Sequence, residues 1–248
     1  MQYLAVKMPL PMPVKRLLSI GEIFLIVVLA LVPVFATFPY RLNIFLSWEG
    51  AYRMYLGQTP YKDFGTPVGY MYWVVPTIFF KIFGPQLITL VKAQAFLNII
   101  GGLAFRSIFR SLGISPAIRF LGVLVFVLSY SFMNYWPWYN HTVIIYELAG
   151  IAFLLKYLFG QGRIKWLWLA LAGVFVFFSF FTKQDGGGLA FMLCGALLLY
   201  DAVREKKWMP LIGFVAVVVV TGLLMILPVS GGNFGYWFNH GQPPHTSR

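Results

Sequence analysis

Residues 70–84 read YMYWVVPTIFFKIFG, and whether this stretch crosses a membrane or lies along it decides the fold. It is apolar but short of the ~20 residues that span a bilayer, and it carries Pro76 and Lys81. Such a length belongs to re-entrant or interfacial segments rather than to full spans. Just before it lies a polar, turn-rich island, Trp48–Gly69 (WEGAYRMYLGQTPYKDFGTPVG). The island holds Glu49 and Asp63, two of only seven carboxylates in 248 residues.

The composition makes the membrane question the right one. The chain is 60% hydrophobic and 10% charged, against about 25% charged in a typical soluble domain. Uncharged runs cover Ile23–Tyr40, Phe120–Tyr146, Trp166–Thr182, Gly186–Tyr200 and the stretch from Trp208 onward. One soluble core cannot hide so many helices that are apolar all round. The expected fold is therefore an all-α, polytopic membrane helical bundle. Its spans are expected near 20–40, 86–105, 118–136, 142–158, 166–182, 187–203 and 209–228. No internal repeat, long linker or soluble domain is visible, so residues 1–248 read as one integral membrane domain. The basic start (Lys7, Lys15, Arg16) and Val34-Phe-Ala36 have the look of a signal peptide, but the apolar run is long and more spans follow, so an uncleaved anchor is expected.

Charge then orients the bundle. If 70–84 does not cross, Lys7, Lys15, Arg16, Arg106, Arg110, Arg119, Lys156, Arg163, Lys165, Arg204, Lys206 and Lys207 share the cytoplasmic face, twelve of the nineteen basic residues. If it crosses, every later loop inverts and nine of those twelve move outside. The positive-inside rule selects the first arrangement: seven spans, residues 1–19 cytoplasmic, 41–85 a first outer loop, and 231–248 an outer tail. The net charge of +12 is thus accounted for by topology, and no nucleic-acid partner is implied. A lone Cys194 inside an apolar run implies no disulfide, and one Cys with three scattered His makes no zinc-type motif.

The expected outer face gathers Glu49, Asp63, Asp185, many aromatics and all three His. Glu49 stands four residues before Arg53 on a short helix expected over Ser47–Leu56. It reads either as half of a surface ion pair worth a few tenths of a kcal/mol or as a base that orients an acceptor hydroxyl. Asp63, bracketed by Pro60 and Gly65, is a turn cap or a second carboxylate for a sugar hydroxyl or a cation. Lys183-Gln-Asp185-Gly-Gly-Gly188 is a helix junction with Asp185 as cap, or a backbone cradle in which Lys183 meets a lipid phosphate. Lys92 and Glu147 lie inside spans near the outer surface. Ionisable groups there are costly and are functional by default, though Lys92 can also snorkel to the surface and Glu147 can pair with a basic residue of another span. Tyr135, Trp136, Trp138 and Tyr139 form an interfacial aromatic belt or a stacking surface for sugar rings. Asn140-His141-Thr142 matches a glycosylation sequon but abuts a span.

A resemblance joins these pieces. Trp48-Glu49-Gly50, then Gly57-Gln-Thr-Pro-Tyr-Lys-Asp-Phe-Gly-Thr-Pro-Val-Gly69, then an aromatic segment ending Phe83-Gly84, resembles GT-C-fold glycosyltransferases. The bacterial family 39, protein-mannosyltransferase-like membrane proteins are the nearest in look. Trp138-Tyr-Asn140 and Thr182-Lys-Gln-Asp185-Gly-Gly187 also look like outer-loop sequences of such proteins. The resemblance implies a sugar on a polyprenyl phosphate or diphosphate as donor, transfer on the outer face of the plasma membrane, and membrane lipids as surroundings. It maps the family's catalytic first-loop carboxylate to Glu49 and its phosphate-approaching basic residue to Lys92. Asp63 is carried as a second catalytic candidate, and Lys183, Asp185, Trp138, Asn140 and His141 as substrate contacts.

The chain departs from the family pattern in three places. Trp48-Glu49 stands where an Asp-Glu pair is usual. No Asp-x-Asp follows in a later outer loop, which leaves a divalent metal an open question. The chain stops at Arg248 where family members continue with further spans, so the resemblance implies a fragment. A transporter of lipid or small solute using Lys92 and Glu147, and a non-catalytic membrane subunit, are the competing readings.

Overall fold

The hydrophobic runs become helices, and in the computed structural model, which describes residues 11–36, 43–66, 68–132, 134–160, 162 and 164–235, those helices account for the whole architecture. They are α1 (Met12–Phe35), α2 (Ile44–Tyr55), α3 (Met71–Phe83), α4 (Leu87–Ser111), α5 (Pro116–Phe126), α6 (Tyr139–Phe159), α7 (Lys165–Thr182), α8 (Gln184–Glu205) and α9 (Met209–Ser230). A π-helical turn, Val127–Ser131, continues α5. Among the described residues there is no strand, and the protein is an all-α bundle.

Six helices, α1, α4, α6, α7, α8 and α9, are long and apolar enough to cross a membrane. The shortest of the six, α7, has 18 residues, about 27 Å at the helical rise of ~1.5 Å per residue. That is close to the ~30 Å of a hydrocarbon core. The expected span 118–136 corresponds to Pro116–Ser131, shorter than the other six because the π turn ends it before the aromatic connection 134–138. α1 starts at Met12, earlier than the expected 20, because residues 12–19 lack a helix breaker after the Pro11–Pro13 start.

The centre of the bundle is built from α4, α6 and α7. α4 packs between α1 and α6, α6 against α7 and α8, α7 against α8 and α9, and α5 against α1. Leu97, Ile145, Tyr146, Phe177, Phe181 and Val229 form one core cluster toward the loop-rich end. Leu154, Leu169, Ala172, Val176, Leu198 and Phe214 form another deeper between α6, α7, α8 and α9. α8 and α9 leave broad apolar faces outward, with Leu189, Met192, Leu223, Leu224 and Leu227 exposed. An apolar outer surface of this extent is what a protein embedded in a membrane presents.

The α2–α3 hairpin bears on the question posed by 70–84 through its length and packing. α3 has 13 residues, about 20 Å, too short to cross. It lies against α2 along its length: the Trp73 indole donates to the Leu46 carbonyl (3.2 Å), and the Trp48 indole donates to the Pro85 carbonyl (3.1 Å). The hairpin covers one end of the bundle. Ser47 donates its hydroxyl to the Pro137 carbonyl in the α5–α6 connection. Tyr70 donates to Met225 of α9 (3.2 Å), and the Asn233 amide donates to the Tyr61 carbonyl (2.9 Å). Residues 44–86, 134–138, Lys183 and 231–235 therefore share one end. The connections 112–115 and 206–208, and residues 160, 162 and 164, share the other, basic end.

Candidate functional site

Glu49 sits in the middle of α2, a helix with two characters. Its inner side, Ile44, Ser47, Gly50 and Ala51, is buried against α3 and α4, while Phe45, Leu46 and Glu49 are exposed. Gly50 is what lets the pairing close, since a Cβ there would stand 1.9 Å from the Trp73 indole. The carboxylate is held from one side only. Arg53 Nε and Nη2 both donate to Oε1, at 3.0 and 2.9 Å, and Arg53 Nη1 donates to the Gln58 side-chain oxygen at 3.3 Å. Oε2 takes no hydrogen bond among the described residues. With side-chain exposures of 56% and 38%, Glu49 and Arg53 are open to solvent, and the pair by itself contributes at most about 1 kcal/mol to stability.

Glu49 borders two recesses. One, about 430 Å³, is lined by Phe45, Trp48, Glu49, Tyr52, Arg53, Leu56 and Gln58. The other, about 190 Å³, lies between α2 and α3 against Gly50, Phe64 and Trp73. In the larger recess Trp48 and Tyr52 stack with ring centres 4.5 Å apart and planes 17° from parallel, and Tyr55 continues the row at 6.1 Å from Tyr52. The guanidinium of Arg53 also lies 5.5 Å from the Phe64 ring centre. A stack of aromatic rings beside an open carboxylate oxygen and a guanidinium offers apolar and polar contacts together, which suits a hydroxylated ring.

The other sequence candidates are distributed around the same end. Asp63 Oδ2 accepts from the Thr59 amide at 2.6 Å, and the Asp63 amide donates to the Thr59 carbonyl at 2.9 Å. The side chain is thus engaged in closing the turn that positions Tyr61, whose hydroxyl donates to the Val68 carbonyl at 2.8 Å. Lys92 points its ammonium at the Phe83 ring, 4.8 Å from its centre, and among the described residues it has no carboxylate partner. Lys183 is paired with Asp185 at 3.0 Å, and Asp185 also accepts from the Gly186 amide at 2.8 Å.

The glycines of 186–188 lie inside the first turns of α8 rather than in an open loop. The reason is close packing: a Cβ on Gly187 would stand 2.0 Å from the Phe180 backbone nitrogen, so a glycine is needed for α8 to fold back against α7 after the single-residue break at Lys183. The same approach brings Gly186 beside Glu147, whose Oε1 is 3.1 Å from the position of a Cβ on Gly186. Glu147 has no ion-pair partner among the described residues; the acidic Asp185 is its charged neighbour rather than a cation.

Trp138 is the residue before α6 and packs against Tyr139 (4.7 Å). Asn140 Oδ1 and His141 Nδ1 are buried with no hydrogen-bond partner among the described residues, and the His141 carbonyl accepts from the Tyr130 hydroxyl at 2.5 Å. His240 and His245 lie outside the described residues. No group of three or more His, Cys, Asp or Glu side chains able to hold a metal ion occurs among the described residues.

Two arrangements were not anticipated from sequence. The Trp48–Tyr52 stack follows from their i, i+4 spacing on α2. The second is a buried polar seam. Gln94 donates to Asn98 (2.7 Å), and Asn98 Nδ2 donates to the carbonyls of Ser131 (2.6 Å) and Asn134 (3.1 Å), tying α4 to the π turn. Single uncharged amides inside an apolar run carry no visible signal of this kind.

Compared with protein-family models, with curated proteins and with solved structures, the chain matches none.

Proposed function

We propose that this protein is a membrane glycosyltransferase that moves a sugar from a polyprenyl phosphate or diphosphate donor to an acceptor hydroxyl, with chemistry at the α2 surface. The observation that carries the reading is the open Oε2 of Glu49 beside the stacked Trp48–Tyr52 pair in one recess. The lean of the basic residues toward the opposite end supports placing that recess on the outer face of a plasma membrane, with the N-terminus cytoplasmic and residue 235 outside.

The chemistry assigned to these residues is a single displacement. The acceptor O–H gives its proton to Glu49 Oε2, its oxygen forms the bond to the anomeric carbon, and the bond from that carbon to the phosphate oxygen breaks. The electron pair leaves on the lipid phosphate. Arg53 fixes the carboxylate by occupying Oε1, so its role is to position the base. Lys92 is the better candidate to meet the leaving phosphate, because Lys183 is already neutralised by Asp185. Asp63 acts through the turn it closes rather than on substrate. Trp138, Asn140 and His141 border the same end and are assigned to the acceptor side.

The test supplies the purified protein in proteoliposomes with a panel of polyprenyl-phosphate hexoses and pentoses and follows release of the polyprenyl phosphate. Donor turnover above protein-free vesicles supports the reading. Movement of the intact donor across the bilayer without turnover would establish the transporter alternative instead.

A further inference from the structure

We propose that the corner where α1, α4 and α5 meet, at the end remote from Glu49, binds the phosphate of an acidic phospholipid. It does not depend on the glycosyltransferase reading.

The corner is organised by Glu22, a fully buried carboxylate inside the apolar run of α1. Arg106 Nε of α4 donates to Glu22 Oε2 at 2.6 Å, and Arg119 Nε of α5 donates to Oε1 at 2.8 Å. Arg106 Nη2 also donates to Ser19 Oγ at 2.6 Å. The two arginine side chains are each 10% exposed and Glu22 not at all. One arginine would neutralise Glu22; the second leaves a surplus positive charge in a nine-tenths buried setting, which is unfavourable unless an anion meets it.

The surroundings enlarge the surplus. Lys15 and Arg16 stand about two turns earlier on α1, and Arg110 one turn later on α4, so basic residues outnumber the one carboxylate at this end of the three helices. The helix termini do not compensate. The C-terminus of α4 supplies about half a negative charge and the N-terminus of α5, at Pro116, about half a positive one, so the two offset each other.

Donors are available for the anion. Arg119 Nη1 and Nη2, and Arg106 Nη1, make no hydrogen bond among the described residues. A guanidinium presents a fork matched to two phosphate oxygens. Leu17, Ile20, Ile118 and Leu121 are exposed on the flanking faces of α1 and α5, where acyl chains would lie. A basic corner between membrane helices with apolar flanks fits a lipid headgroup better than free phosphate.

The experiment is native mass spectrometry of the full chain after exchange into mixed micelles of phosphatidylglycerol and phosphatidylcholine. In a second arm inorganic phosphate is added to the lipid-loaded protein. Retention of phosphatidylglycerol at least tenfold over phosphatidylcholine is expected, with loss of that preference in Arg119→Gln. Arg110→Gln lies at an exposed position outside the Glu22 pairs; it keeps the fold by size-exclusion elution and lowers retention severalfold, which keeps the test decisive if Arg119→Gln does not fold. Equal retention of the two lipids, or unchanged preference in Arg110→Gln and a folded Arg119→Gln, overturns the proposal. So does inorganic phosphate that displaces the lipid at millimolar concentration.

Discussion

Gly50 of α2 and Trp73 of α3 are in contact so close that no side chain fits between them, a Cβ on Gly50 falling 1.9 Å from indole Cε2. The Trp73 ring is also pinned by its hydrogen bond to Leu46, so it cannot swing away without losing that bond. Gly50→Ala is therefore expected to push α2 off α3, at a cost of about 1–3 kcal/mol for an overpacked contact. Thermal unfolding in detergent, with proteolysis of the 57–69 segment as a local readout, checks it. A variant as stable and as protease-resistant as the parent would mean that the hairpin packs differently.

Glu22 predicts the largest loss from a single charge. Glu22→Gln leaves the guanidinium groups of Arg106 and Arg119 facing each other without their shared carboxylate. Breaking a buried pair in this way costs about 3–5 kcal/mol. Unfolding midpoints in denaturant report it, and Glu22→Gln within 1 kcal/mol of the parent would show that the triad is not what joins α1 to α4 and α5.

The non-crossing α3 makes a labelling prediction. In a Cys194→Ala background, cysteines placed at Gln58 and Lys81 should both react with an impermeant thiol reagent from the side opposite to one placed at Lys206. Reaction of positions 58 and 81 from opposite sides would require α3 to cross.

The first loop should loosen at high pH. Burial raises the hydroxyl of Tyr61, and raises Tyr70 and Tyr72 as well. In the unfolded chain these phenols ionise near ~10. Because the folded values are raised, the stabilisation is complete below ~10 and declines as pH rises above it. Proteolysis of residues 57–69 should therefore accelerate above about pH 10, and Tyr61→Phe, which cannot ionise, should reduce that acceleration. Loop proteolysis that is flat from pH 8 to 11 would contradict the assignment.

The parts of this fold that were readable from sequence are those carried by length and by charge. The shortness of 70–84 and the grouping of Arg106, Arg110, Arg119, Lys156 and Lys165 at one end led to the bundle and its loop-rich end. The i, i+4 spacing of Glu49 and Arg53 led to their pair. What escaped has a physical reason in each case. Glu22 is a single carboxylate at the edge of an apolar run, and its partners lie 84 and 97 residues away, beyond any local pattern. The Gly186–Gly188 run reads as a turn because glycine favours turns, yet tertiary packing against Phe180 outweighs that preference and keeps it helical. Lys183 and Asp185 were candidates separately, and their pairing removes much of the free charge that made Lys183 attractive.

The most direct measurement compares the parent with Glu49→Gln and Arg53→Gln in donor turnover, at equal membrane abundance. Glu49→Gln keeps the shape of the recess and removes the base, so turnover should fall by about 10²–10⁴-fold, the range typical of general-base removal. Arg53→Gln frees the carboxylate without removing it and should lose less. Full turnover in Glu49→Gln would contradict the account.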